Sequence, residues 1–262
     1  MPPNKKNPSP FFSFSNPSFL LLGIGGSVCF ILLLIFVFVY GVDKDITEED
    51  TQALKTMMTQ AGYSENIISK NRNFSEEIKD IRHIQDAVLT ASPQLLKIPL
   101  GQTREPADLL AIGHGQCSDR ARSIEKGLTL AGFETRFASI FSRHKEFTPP
   151  ATLAIDSGYD LRSHAVIEVL TEKGWLFVDT NARWISLDEN GNPVSLKELQ
   201  EEANKTGLKW DKQNVGDLYW IFKGPFSVTY GIYSRHGQFY PPYTPYVPDI
   251  NWGEFIIENL KR

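Results

Sequence analysis

The sequence predicts an α+β domain behind a single membrane-spanning helix. Three observations lead there: an uncharged apolar stretch near the N-terminus, amphipathic helical patterns through the first half of the chain, and two β-rich runs joined by a short turn further on.

No charged residue occurs between Lys6 and Asp43, and Phe19 to Val42 is almost wholly apolar. About 24 residues at ~1.5 Å rise extend ~36 Å, enough for a hydrocarbon core of ~30 Å with some tilt. Lys5 and Lys6 precede the stretch, whereas Asp43, Lys44 and Asp45 follow it. The positive-inside bias therefore puts residues 1–18 in the cytoplasm and the bulk of the chain outside it, in a periplasmic, extracellular or lumenal space. The run is longer than the ~7–15 residues of a signal-peptide core, and Val39-Tyr40-Gly41-Val42 offers no small-x-small cleavage site, so 19–42 reads as an uncleaved anchor. Cys29 is then an ordinary membrane-facing residue.

Beyond Val42 about 220 residues remain, enough for one compact domain with a sizeable core. They divide into a helical stalk or N-terminal lobe over 43–104 and a main domain over 105–262. The formal net charge of -4 and the absence of any Lys/Arg-rich helix exclude a nucleic-acid partner. Of the two cysteines, one lies in the apolar stretch and one, Cys117, in the domain, so no disulfide can form within it. An unpaired thiol outside the cytoplasm is either intermolecular or reactive.

Thr47 before Glu48, Glu49 and Asp50 marks a capped helix start, with Leu54, Met57 and Met58 on the apolar face. Another helix is expected from near Ser75 to Pro93, with Ile78, Ile81, Ile84 and Val88 at helical spacing. Glu105 to Leu110 reads as a short helical turn. Ala121, Ile124, Leu128 and Ala131 then trace one face of a helix that opens at Cys117 and ends at Gly132. Thr135 to Phe141 is an expected strand, and His144 to Asp160 a long polar loop. Ser163 to Leu170 and Trp175 to Thr180 form a hairpin around Thr171-Glu172-Lys173-Gly174. With a loop of four or two residues, Val166 faces Asp179 and His164 is its diagonal neighbour on the same face. Asn190-Gly191 marks a turn, and Ser195 to Asn204 a surface helix with Leu196 and Leu199 inward. From Tyr219 onward, aromatics and prolines are dense, above all in Tyr233–Tyr243, which predicts an extended wrap rather than a strand or helix.

Cys117, His164 and Asp179 stand out chemically. A thiol needs a base to become a thiolate near neutral pH, and that base needs a carboxylate to hold its tautomer and ring orientation. A helix N-terminus adds a dipole that favours the thiolate and N–H groups that can bind an oxyanion. Each residue alone has a plainer reading: a buried small hydrophobe for Cys117, a satisfied strand histidine for His164, a turn cap for Asp179. A zinc site from His114, Cys117, His164 and Asp179 is the rival chemistry, but a single Cys without Cys-x-x-Cys or His-Glu-x-x-His spacing is a poor start for one. His114 is expected at the cleft entrance. No phosphate-binding glycine loop or metal motif is present, so no cofactor is expected.

Gly115-Gln116-Cys117-x-x-x-Ala121 with the trailing Leu130-Ala131-Gly132-Phe133, then Ser163-His164-Ala165-Val166-Ile167-Glu168-Val169, then Gly174-Trp175-Leu176-Phe177-Val178-Asp179 resemble the core of the transglutaminase-like superfamily. The resemblance covers about Asp108 to Trp184. It implies a papain-like α+β core in which the helix bearing the nucleophilic Cys packs on an antiparallel sheet. It also implies Cys117 as nucleophile, His164 as general acid/base and Asp179 as the residue orienting it. The Cys117 N–H would contribute to an oxyanion hole, with Gln102 a candidate second donor. Ser118 stands where crosslinking members carry Trp, and there is no room for their additional β-domains. The implied activity is that of a peptidase, amidase or acyl transferase on a peptide or protein amide, with a surface glycoconjugate as a further candidate partner. The alternative is a non-catalytic scaffold that binds peptide or glycan.

Overall fold

The computed structural model describes residues 17–39, 42–66, 72–99, 102–142, 163–205, 220–233 and 250–260. They fall into two compact units, Met1–Tyr40 and Gly41–Arg262. The first contains one helix, α1 (Pro17–Val39). Its side chains are described over 23–35, where they are exposed and Ser27 Oγ donates to the Gly23 carbonyl at 2.9 Å. Among the described residues no helix is long and apolar enough to cross a membrane, and the expected span of 19–42 extends beyond the described side chains on both sides.

The second unit is α+β. Four helices come first: α2 (Glu48–Gln60), α3 (Phe74–Ala91), α4 (Pro106–Ile112) and α5 (Cys117–Leu130). Capping sets where they begin. Thr47 Oγ1 accepts from Asp50 N at 3.1 Å while Asp50 Oδ2 accepts from Thr47 N at 3.0 Å, and Asn73 and Glu76 repeat the exchange at α3. Gly113, at φ 73°, stops α4 in a left-handed conformation.

Strands β1 (Glu134–Ser142), β2 (Ser163–Thr171), β3 (Gly174–Val178) and β4 (Phe226–Tyr230) form one antiparallel sheet in the order β3-β2-β1-β4. The β2–β3 loop has two residues, Glu172 and Lys173, because Thr171 already pairs with Gly174. Its parity is that of the four-residue reading. Ile167 faces Val178, so the ladder directs His164 and Asp179 to one face.

Both faces of the sheet are covered. Ala121, Ile124 and Leu128 of α5 pack with Phe137, Ile167 and Val169, and α2 and α3 extend the same core with Met57, Ile81 and Ile84. Gly127 allows the α3–α5 approach, since a Cβ there would stand 2.8 Å from Ile84 Cγ2. On the other face Ala138, Val166 and Phe177 meet Leu196 and Leu199 of α6 (Leu196–Lys205) together with Phe222. Glu168 is fully buried yet satisfied: it accepts from Arg136 Nε at 2.7 Å, Tyr230 Oη at 2.7 Å and Leu196 N at 2.6 Å, tying β1, β4 and α6 to β2.

The expected wrap from Tyr219 onward is corrected here. Trp220–Lys223 is a turn of 3₁₀ helix, Phe226–Tyr230 is the edge strand β4, and Trp252–Leu260 is a helix, α7. The prolines stand at 225 and from 241 to 248, outside all three, so they interrupt the connections and spare the elements. Most of Tyr233–Tyr243 lies outside the described residues, as does the expected loop His144 to Asp160.

Gly231 fixes α7 on β4. Its φ is 77°, and a Cβ would lie 2.6 Å from Phe255 N and 2.8 Å from Asn251 O. Gly231→Ala should therefore cost about 2–4 kcal/mol. Gly191→Ala, with φ 76° but nothing within 4 Å, should cost only about 1 kcal/mol. Urea denaturation of the two variants measures the difference, which equal midpoints would remove.

Candidate active site

Cys117 opens α5 and is half-buried. The approach to it depends on Gly115, where a Cβ would stand 2.7 Å from Leu109 Cδ1 and 3.0 Å from Asp119 Cβ. Gln116 is the extended N-cap residue, and its N–H donates to Asp119 Oδ2 at 2.7 Å. The other oxygen of Asp119 pairs with the Arg104 guanidinium, both side chains being buried, and Arg104 Nη2 also donates to the Ile98 carbonyl at 3.0 Å. Loss of one partner would leave a buried charge uncompensated, a cost of about 3–5 kcal/mol. The first turn of α5 is thereby held to the preceding loop.

His164 is the second residue of β2 and fully buried. Its Nε2 lies 3.3 Å from Asp179 Oδ2. Asp179 follows β3, and its Oδ1 accepts from the N–H groups of Asn181 at 2.7 Å and Ala182 at 2.8 Å, an Asx turn that orients the carboxylate. Thr180 Oγ1 donates to the Ala165 carbonyl at 2.6 Å, pinning this turn to β2. The Phe222 ring meets His164 edge-on with centroids 6.2 Å apart.

The pair sets the charge of the imidazole. Burial alone would lower the pKa of His164, but the Asp179 carboxylate and hydrogen bonds to Asp179 and the Cys117 side chain outweigh it, raising it to about 10.

Two buried side chains not foreseen as site residues connect these pieces. Gln85 of α3 places Nε2 2.7 Å from the Asp179 carbonyl, 2.7 Å from that of Trp184 and 3.0 Å from that of Ala182, gathering the turn around one amide. Arg120, one turn along α5 from Cys117, donates to Asn181 Oδ1 at 3.2 Å, to Ser92 Oγ at 3.3 Å and to the Ser92 carbonyl. It joins the helix bearing the thiol to the turn bearing the carboxylate. Gln85 carried a signal: it interrupts the apolar stripe Ile81, Ile84, Val88 with an amide, and a buried amide must find partners.

The other candidates are less closely placed. His114 is half-buried and forms a parallel bridge with Gln94, whose carbonyl accepts from Gly115 N at 3.1 Å. Gln102 is exposed. Cys29 lies on α1 in the other unit. Among the described residues no group of three or more His, Cys, Asp or Glu is placed to hold a metal ion.

No protein-family model matches the chain, and no curated protein matches it. Among solved structures, a "putative protease" from Parabacteroides distasonis ATCC 8503 is similar at 12% identity and a TM-score of 0.31, covering 57% of this chain. The match spans 31% of that protein's own length.

The His164–Asp179 pair predicts a pH dependence of stability. The folded-state value of about 10 lies above the ordinary 6.5, so the stabilisation is complete below about pH 6.5 and lost as pH rises through about 10. Urea midpoints should fall across that interval in the parent protein, and the fall should be much smaller in Asp179→Asn.

Proposed function

We propose that this chain is a membrane-anchored, thiol-dependent acyl-transfer enzyme acting on an amide bond of a peptide or protein. The observation that carries the reading is the buried His164, paired with Asp179 through Nε2, with Cys117 at the head of α5 among the groups that raise its pKa. Cys117 is half-buried, whereas His164 and Asp179 are buried.

In this mechanism the thiol proton passes to His164, and Asp179 stabilises the resulting imidazolium. The Cys117 sulfur attacks the amide carbonyl, and the carbonyl oxygen takes negative charge within reach of the first-turn N–H groups of α5. His164 then delivers its proton to the leaving nitrogen as the C–N bond breaks, leaving a thioester on Cys117 and a free amine. Water or a second amine, deprotonated by His164, attacks the thioester and restores the thiol. Water makes the enzyme a peptidase or amidase; an amine makes it a transferase. These roles agree with those implied by the resemblance to transglutaminase-like cores.

The anchor is residues 19–42, with 1–18 cytoplasmic and the domain outside the cytoplasm. It is supported by the absence of charge from Asn7 to Val42 and by the helical backbone of α1. After alkaline carbonate washing the chain should remain with the membrane fraction; release into the supernatant would refute the anchor.

Alkylation of Cys117 by iodoacetamide tests the thiol chemistry without a known substrate. In mildly acidic buffer the parent protein should react about tenfold or more faster than His164→Ala, with the difference shrinking as pH rises. Cys117→Ala identifies the reacting residue. Equal rates in the parent and His164→Ala would sink the mechanism and favour a scaffold that binds peptide or glycan.

A further inference from the structure

The C-terminal helix α7 is inside out. Its polar residues point into the domain: Glu254 accepts from Phe137 N at 2.8 Å and Tyr233 Oη at 3.0 Å, Glu258 pairs with Arg136 at 2.9 Å, and Asn259 bonds both backbone groups of Tyr230. Phe255 and Trp252 also face inward, packing with Ile232 and Ile250, but three apolar residues point out, with Ile256 36%, Ile257 45% and Leu260 77% exposed. Among the described residues of this unit, only Leu95 and Leu96 are comparably exposed large aliphatics. A helix normally buries the apolar side and wets the polar one. Here the charges on the inner side are consumed within the protein, and no charge interrupts the outer stripe.

The apolar stretch of the sequence enters this unit next to α7. The apolar N-terminal stretch runs to Val42 in the sequence, and Val42 is already buried in the domain core. The next residues are fastened beside α7: the Asp43 carbonyl accepts from Arg122, and Lys44 Nζ pairs with Glu125 at 2.9 Å and with Glu254 of α7 at 3.4 Å. The residues that follow the apolar stretch are thus tied to α7 through Glu254 on its inner side. In the sequence Lys261 and Arg262 follow α7, and Lys and Arg favour anionic lipid.

We propose that α7 is a membrane-surface helix whose face of Ile256, Ile257 and Leu260 lies at the headgroup–acyl boundary of the bilayer that holds residues 19–42, fixing the domain at a second point. This rests on the anchor proposed above. Such helices sit about 5–10 Å into the boundary region, with their charged side away from it.

The test uses the full chain reconstituted into phosphatidylcholine–phosphatidylglycerol vesicles, with an environment-sensitive fluorophore on one cysteine at a time. In Cys117→Ser, native Cys29 reports the anchor. In Cys29→Ser/Cys117→Ser, added Ile257→Cys or Leu260→Cys reports α7, and Lys197→Cys on α6 is the exposed control. The α7 probes should shift to the blue, resist aqueous iodide, and lose more emission to a doxyl group high on the acyl chain than to one near its end. The Lys197 probe should respond to iodide alone. Iodide quenching at 257 and 260 without doxyl quenching would overturn the proposal. Protection from both quenchers would also overturn it, assigning the face to a second copy or another protein segment. Doxyl quenching at Cys29 decides the anchor separately: its absence, with quenching at 257 retained, would refute the span and leave the lipid-binding face standing.

Discussion

Five consecutive-turn charges buried on one helix constrain this domain. Asp119, Arg120, Arg122, Glu125 and Lys126 of α5 are all removed from water, and a buried ion without a partner costs several kcal/mol. Every segment around α5 therefore has to bring a counter-charge or a carbonyl. Arg104 answers Asp119, Ser92 and Asn181 answer Arg120, Glu105 answers Arg122 and Lys126, Asp50 answers Lys126, and Lys44 answers Glu125. The apolar face of the same helix meets the sheet, so α5 is enclosed on all sides and its first residue is held in place.

The interior behind the site carries a second consequence of that enclosure. Tyr233 Oη lies 2.7 Å from Glu125 Oε1 and 3.0 Å from Glu254 Oε2, although one hydroxyl can donate only once. Burial would raise the Glu125 carboxyl, but Lys44 and Arg122 outweigh it and hold it low. Burial raises the Glu254 carboxyl, Lys44 opposes the rise, and Glu125 reinforces it. One tyrosine thus joins α5 to α7.

At the site, precision comes from the rigid parts. The carboxylate that faces His164 sits on a turn, yet that turn is fixed by its own Asx bonds, by Thr180 on β2, by Gln85 from α3 and by Arg120 through Asn181. The helix that Cys117 opens is tied to this turn by Arg120 through Asn181.

Much of this was legible in the chain. Capping residues and helical spacing mark α2, α3 and α5 because both depend on neighbours within one or two turns, and strand parity places His164 beside Asp179 because a hairpin is also local. What local pattern could not supply is partnership across long separations. Gln85 finds Asp179 from 94 positions away, and Tyr233 finds Glu125 from 108. The strand β4 reads as part of a proline-rich wrap until β1 offers its edge, since an edge strand needs only one partner ladder. The apolar residues of α7 are visible as Phe255, Ile256, Ile257 and Leu260, but which of them face outward is settled only when Lys44, Arg136 and Tyr233 claim its acids. Periodicity is a property of the chain, whereas desolvation is satisfied only by whichever residues the fold brings together.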